Sequence, residues 1–118
     1  MAQHNDTGKA GEDLAEQWLI NNEYTILHRN WRHKNWEIDF IAHKGKRLHI
    51  IEIKTRTSAY LGFPEDNFDK KKMQYLIQAA EEFLYLYPVW QQLQFDLLAI
   101  TLKENEADKY FLIEDVYL

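Results

Sequence analysis

The sequence predicts an α/β fold, from two stretches whose apolar residues recur at helical spacing and five whose composition suits strands, in the order α-β-β-β-α-β-β. A third observation makes it a single domain spanning residues 1–118: only four Gly and two Pro punctuate 118 residues, and no segment repeats or falls in complexity. A chain of this size buries roughly two-thirds of the surface its unfolded form exposes, enough for a core without covalent staples.

The first helix is expected from Gly8 to Asn22, where Leu14, Ala15, Trp18 and Leu19 share a face. At 100° per residue Glu12 falls beside Leu19, on the margin of that face. Tyr24 to Arg32 reads as a strand leading into a loop, with Thr25, Ile26 and Leu27 supplying β propensity. Two further strands, Trp36 to Ala42 and Arg47 to Thr55, are joined by His43-Lys44-Gly45-Lys46 as a hairpin. Ser58 to Pro64, with Gly62 and Pro64, reads as a loop. A long helix follows from Pro64 or Asp69 to Tyr87, with Met73, Leu76, Ile77, Ala80, Phe83 and Leu84 on one face and Pro88 as its stop. Phe95 to Leu102 and Tyr110 to Val116 complete the strands.

Composition excludes several classes. Apolar residues make up 46% and charged residues 28%, too rich a mixture for a disordered or fibrous chain. The absence of cysteine removes disulfides, thiolate metal sites and thiol nucleophiles. No apolar run reaches the 18 or more residues that span a bilayer, and the first residues lack a basic segment and an apolar one, so a cytoplasmic protein with no membrane partner is expected. The net charge of -5 conceals an asymmetry: residues 28–56 hold eight Lys/Arg against three Asp/Glu, and four of the five histidines. A basic middle on an acidic chain is compatible with a polyanion-facing surface and equally with a solvated lysine-rich hairpin.

The hairpin carries the chemistry. In Glu52-Ile53-Lys54 the strand period of two places Glu52 and Lys54 on one face with Leu48 and Ile50, while Ile51 and Ile53 fill the other. A strand apolar on both sides is usually central, so its charged end must be paired, hydrated in a cleft or bound to an ion. If the preceding strand pairs in odd-sum register, Asp39 joins Glu52 and Lys54 on that face; a slip of one residue scatters them. Two carboxylates brought together require a shared proton or a cation. Hard oxygen ligands suit Mg²⁺ or Mn²⁺, and an adjacent lysine can orient a metal-bound water. The bland alternative is an exposed Glu-x-Lys ion pair of little energetic worth.

Taken in order, Gly8-Lys9-Ala10-Gly11-Glu12, Asn30-Trp31-Arg32, Glu37-Ile38-Asp39, Ile51-Glu52-Ile53-Lys54-Thr55-Arg56, Lys72 with Leu76 and Ala80, and Phe95-Asp96 resemble the YraN-like uncharacterised family. That family is similar to the archaeal Holliday junction resolvases of the PD-(D/E)xK nuclease superfamily. The resemblance implies a restriction-endonuclease-like core, a mixed central sheet flanked by helices. It implies Asp39 and Glu52 as ligands of Mg²⁺ or Mn²⁺, Lys54 as the lysine that positions the attacking water, and Glu12 as a further catalytic acid reaching in from the first helix. The chain departs from the family pattern at Trp36, where a glycine usually precedes Glu-Ile-Asp, and at Gln94, where an arginine usually precedes Phe-Asp.

Arg29, Arg32, Lys44, Lys46, Arg56 and Lys72 are the expected nucleic-acid contacts, with Lys72, at the edge of the apolar face of its helix, looking into the cleft. Trp31 and Trp36 interleave with these cations as single-strand binding favours, although a packed core is the commoner fate of tryptophan. His49 is expected to be a packed core residue. The functional expectation is a metal-dependent DNA endonuclease that hydrolyses phosphodiesters of branched or single-stranded DNA, its two-fold junction substrate favouring a homodimer. The alternative is a catalytically silent nuclease-fold module that binds nucleic acid or a protein.

Overall fold

The apolar periodicities resolve, in a computed structural model of the chain, into α1 (Ala2–Asn21), β1 (Thr25–His33), β2 (Trp36–Lys44), β3 (Arg47–Thr57), α2 (Lys70–Leu86), β4 (Gln92–Leu102) and β5 (Lys109–Ile113). The structure describes residues 2–57, 70–103 and 105–116, with side chains from residue 8 onward. The expected loop from Ser58 to Pro64, and the question of whether the second helix begins at Pro64 or Asp69, lie outside the described residues.

The five strands form one sheet in sequence order, β1-β2-β3-β4-β5. Neighbours are antiparallel except β3 and β4, which run parallel across the α2 crossover. The sheet is therefore mixed, with β3 in the middle, as the unbroken burial of Leu48 to Glu52 requires of a strand covered on both faces.

One helix covers each face. Ala15 and Leu19 of α1 pack on Tyr24, Phe40, Ala42, Ile51, Leu98 and Ile100. Met73, Leu76, Ala79, Ala80 and Phe83 of α2 pack on Ile41, Leu48, Ile50, Phe95 and Leu97. Strand alternation thus sends Ile51 toward α1 and Ile50 toward α2, so Glu52 follows Ile50 onto the α2 face. Among the described residues no helix is long and apolar enough to cross a membrane.

The two connections among the first three strands are tight. The β2–β3 turn uses Gly45 at φ +57, where a glycine lacks the steric penalty of a Cβ. The β1–β2 connection, expected as a loop, is a two-residue turn with Lys34 at φ +55, and β1 runs on to His33. A lysine in the left-handed region gives no sequence signal, which is why that hairpin is not legible beforehand. At the other end of the chain β5 stops at Ile113, short of Val116, because Asp115 takes φ +57. Val116 nevertheless returns to the sheet by donating its N–H to the Phe95 carbonyl at 2.8 Å.

Candidate functional site

The β2–β3 ladder runs in odd-sum register from Lys44 opposite Arg47 to Phe40 opposite Ile51. The regular pairing ends there, and the next residues along the two strands are Asp39 and Glu52. Asp39 Oδ2 accepts the Ile53 N–H at 2.9 Å, so a side chain takes the place of a ladder carbonyl where the strands part. Alternation in β2 also breaks at this point: Phe40 faces the α1 core, whereas Ile38 joins the α2 core. The result places two carboxylates together on the α2 face, with Glu52 buried. Burial, and then the Glu52 charge, push the Asp39 carboxyl up to about 8, against the opposing pull of the Ile53 N–H and Lys72.

Lys72, on α2, completes the cluster. Its Nζ lies 2.6 Å from Glu52 Oε2. Burial lowers the pKa of this ammonium, but the bond to Glu52 and the charges of Glu52 and Asp39 outweigh it and hold Lys72 above its ordinary value. One helical turn on, Tyr75 clamps the β1–β2 turn: its hydroxyl donates to the Asn35 carbonyl at 3.1 Å and accepts the Glu37 N–H at 2.8 Å. Trp36 packs beside it, with ring centroids 5.2 Å apart. Lys54 shares the face of Glu52 by strand period and is half-buried; among the described residues it makes no ion pair. Arg56, also half-buried, continues the same alternation.

Glu12 occupies a different position from the one expected. Its carboxylate accepts from Asn30 Nδ2 at 2.9 Å and from Arg29 Nη2 at 3.3 Å, rather than joining the Asp39–Glu52 pair. It remains a neighbour of the site at one remove: with Arg29 opposite Phe40 and Trp31 opposite Ile38, Asn30 lies across from Asp39. The approach of α1 is close at Gly11, where a Cβ would collide with Thr55 Oγ1 on β3.

The six basic residues do not form one surface. Arg29 is engaged by Asp13 at 2.8 Å, Glu16 at 3.0 Å and Glu12 at 3.3 Å, so three carboxylates of α1 already neutralise the cation expected to meet phosphate. Arg32, largely exposed, makes a 3.5 Å pair with Glu37 near the carboxylate end of the sheet. Lys44 sits over the Tyr24 ring at 4.2 Å, and Lys46 belongs to the β2–β3 turn. Six strand positions separate Lys46 from Glu52, roughly 20 Å. That far end also holds an open depression of about 480 Å³ lined by Gly45, Lys46, Val89 and Trp90, remote from the carboxylates. Arg32, Arg56 and Lys72 lie toward the carboxylate end, as does Arg29, level with Phe40 but held by the carboxylates of α1.

Trp31 is a core residue, buried edge-on to Phe83 with centroids 5.4 Å apart. His49 is buried as expected, but as part of a polar network that periodicity does not reveal. Its Nδ1 is 2.7 Å from Asp96 Oδ2; Asp96 Oδ1 accepts from Gln94 Nε2 at 2.8 Å and from the Asp115 N–H at 3.0 Å. Tyr24 meets His49 edge-on at 5.2 Å, and burial, then Asp96 and Glu114, push its hydroxyl up to about 12. The available signal was an acid inside the otherwise apolar run Phe95 to Ile100. The network ties β3, β4 and the C-terminal segment together on the α1 face, opposite the carboxylate pair.

The two carboxylates fit a hard divalent cation. Among the described residues no group of three or more His, Cys, Asp or Glu forms a closed cage. One or two carboxylates with waters and substrate phosphate completing the shell is the usual arrangement for Mg²⁺.

A family model described as Uncharacterised protein family UPF0102 matches residues 11–100. A UPF0102 protein of Flavobacterium psychrophilum is 39% identical over 117 residues, covering 99% of this chain and 98% of the relative. One of Flavobacterium johnsoniae is 42% identical over 104 residues, 85% of each chain, and one of Parabacteroides distasonis 34% identical over 116 residues, 98% and 93%.

Proposed function

The chain belongs to the YraN-like UPF0102 family, and on that premise we propose that it is a Mg²⁺- or Mn²⁺-dependent DNA endonuclease acting on branched or single-stranded DNA. The observation that supports this reading is the carboxylate pair at the parting of β2 and β3, with a lysine ammonium 2.6 Å from Glu52. A surface that only bound phosphate would gain nothing from two carboxylates facing its ligand, since they repel it.

Asp39 and Glu52 would hold the metal ion. The ion would supply Lewis acidity to the phosphate and a lowered pKa to its water. Lys54, two residues beyond Glu52 on the same face, orients the water and offsets the negative charge that gathers on the phosphate oxygens. Water oxygen bonds to phosphorus as the bond to the leaving sugar oxygen breaks, and the proton lost by the water balances the one gained by the leaving group. Glu12 acts through Asn30 and Arg29 and positions the strand that carries Asp39's neighbours. A four-way junction would engage two copies of the site, which a homodimer supplies.

One observation favours a second reading, a catalytically silent module: the chain itself supplies a cation, Lys72, to the buried Glu52 carboxylate. Cleavage assays on junction, flap, single-stranded and duplex DNA in Mn²⁺ separate the two. Glu52→Gln and Asp39→Asn each remove a ligand charge at nearly constant volume and are expected to lower nicking by at least about 100-fold while DNA affinity survives. Absence of metal-dependent cleavage of every substrate by the wild-type protein overturns the nuclease reading.

A further inference from the structure

Two carboxylates on one sheet face repel, and the fold must answer that repulsion. Lys72 provides the answer. Its Nζ is 2.6 Å from Glu52 Oε2, and its side chain is 38% exposed where that of Glu52 is 8% exposed, so a buried carboxylate is met by a cation whose stem leads out to solvent. Tyr75, one turn further along α2, places a ring centroid 6.0 Å from the same Nζ, a second surface on which an ammonium can rest.

This arrangement conflicts with simultaneous metal binding. A Mg²⁺-type ligand oxygen stands about 2.0–2.1 Å from its ion. An ammonium kept at 2.6 Å from the same carboxylate would then face a doubly charged neighbour at short range. Lys72 has a flexible four-carbon stem and can leave; Asp39 and Glu52, fixed on strands, cannot.

We infer that Lys72 is the internal counter-ion of the Asp39–Glu52 pair, that a divalent cation displaces it, and that the displaced ammonium binds the phosphate of the substrate strand. The inference rests on the nuclease reading of the same site and adds an order of events to it. Metal binding must break the Lys72–Glu52 pair, so Lys72 weakens the metal. Metal binding also releases a cation for phosphate, so Lys72 couples metal to DNA.

The test measures both linkages without relying on cleavage. Mn²⁺ is titrated by calorimetry into the full chain and into Lys72→Met, which keeps the stem and removes the charge. Lys72→Met is expected to bind Mn²⁺ about tenfold more tightly. Lys72→Arg, which keeps a cation on Glu52, is expected to stay within about twofold of wild type, so that charge is separated from packing. Affinity for a single-stranded oligonucleotide is then measured by anisotropy in Ca²⁺ and in EDTA. The gain in affinity from Ca²⁺ should be about tenfold smaller in Lys72→Met than in wild type. Equal or weaker Mn²⁺ binding by Lys72→Met overturns the counter-ion role, even if wild-type cleavage is intact. Failure of both proteins to bind Mn²⁺ overturns the metal-centre reading itself, and the inference with it.

Discussion

Asp39 performs two tasks with one carboxyl group. One oxygen replaces a backbone carbonyl for the Ile53 N–H, and the group as a whole is forced against Glu52. Its raised pKa means that the folded chain holds this proton more tightly than the unfolded chain does. The stabilisation is fully present below the ordinary value of 3.8 and is lost as pH rises through about 8. Asp39→Asn keeps an oxygen for Ile53 and does not titrate. Thermal melts from pH 5 to pH 9 should therefore show the variant gaining on wild type up to about pH 8 and then holding a constant difference. Lys72 does not blur this window, because its raised ammonium loses its proton only above its ordinary value of 10.5. A pH-independent difference would show that burial and the Glu52 charge together do not hold the Asp39 proton in the folded chain. Alternation and an assumed odd-sum register were sufficient to bring Asp39, Glu52 and Lys54 to one face on sequence grounds. Helical spacing turned Lys72 of α2 into the same cleft; that its partner there would be Glu52 depends on how the helix crosses the sheet.

Between elements, α1 comes close to β3 at Gly11. A methyl group there would collide with Thr55 Oγ1, and turning that side chain away would still leave Thr55 Cβ at 3.0 Å, so the helix or the strand must give. Gly11→Ala should cost about 1–3 kcal/mol despite the better helix propensity of alanine. Thr55→Ala should cost little and should recover much of that loss in the double variant, a coupling that denaturant melts of the four proteins measure. If Gly11→Ala melts with wild type, the helix has room to shift and the fit is not tight. The seven elements themselves were legible, since each buried face repeats at its own period. What periodicity missed were polar agreements across elements: Arg29 captured by Asp13, Glu16 and Glu12, and His49 captured by Asp96. Such pairs are chosen by three-dimensional proximity and leave no trace in the spacing of apolar residues.

Across the whole molecule, the basic middle of the sequence is divided by the sheet rather than gathered by it. Strand direction carries Lys44 and Lys46 to the turn end, and Arg32 and Arg56 toward the carboxylates. Charge reversal of Lys44 and Lys46 together should leave single-stranded DNA affinity within about twofold. Reversal of Arg32 and Arg56 should weaken it at least tenfold and make the salt dependence shallower, by about 0.7 in slope for each phosphate of a single strand that is no longer neutralised. Anisotropy titrations between low and moderate salt distinguish the two pairs, and equal weakening by both would mean that DNA lies along the full length of β3.

The parting of β2 and β3 has one more consequence. β3 is the middle strand of five, where backbone amides are ordinarily sealed into a ladder. The Ile53 amide departs from this, because its partner is a carboxyl group that can change its charge and its ligand. A single backbone proton in the interior of the sheet therefore serves as a gauge of the centre: its magnetic environment follows the state of Asp39, and the protein carries its own spectroscopic reporter without an added label.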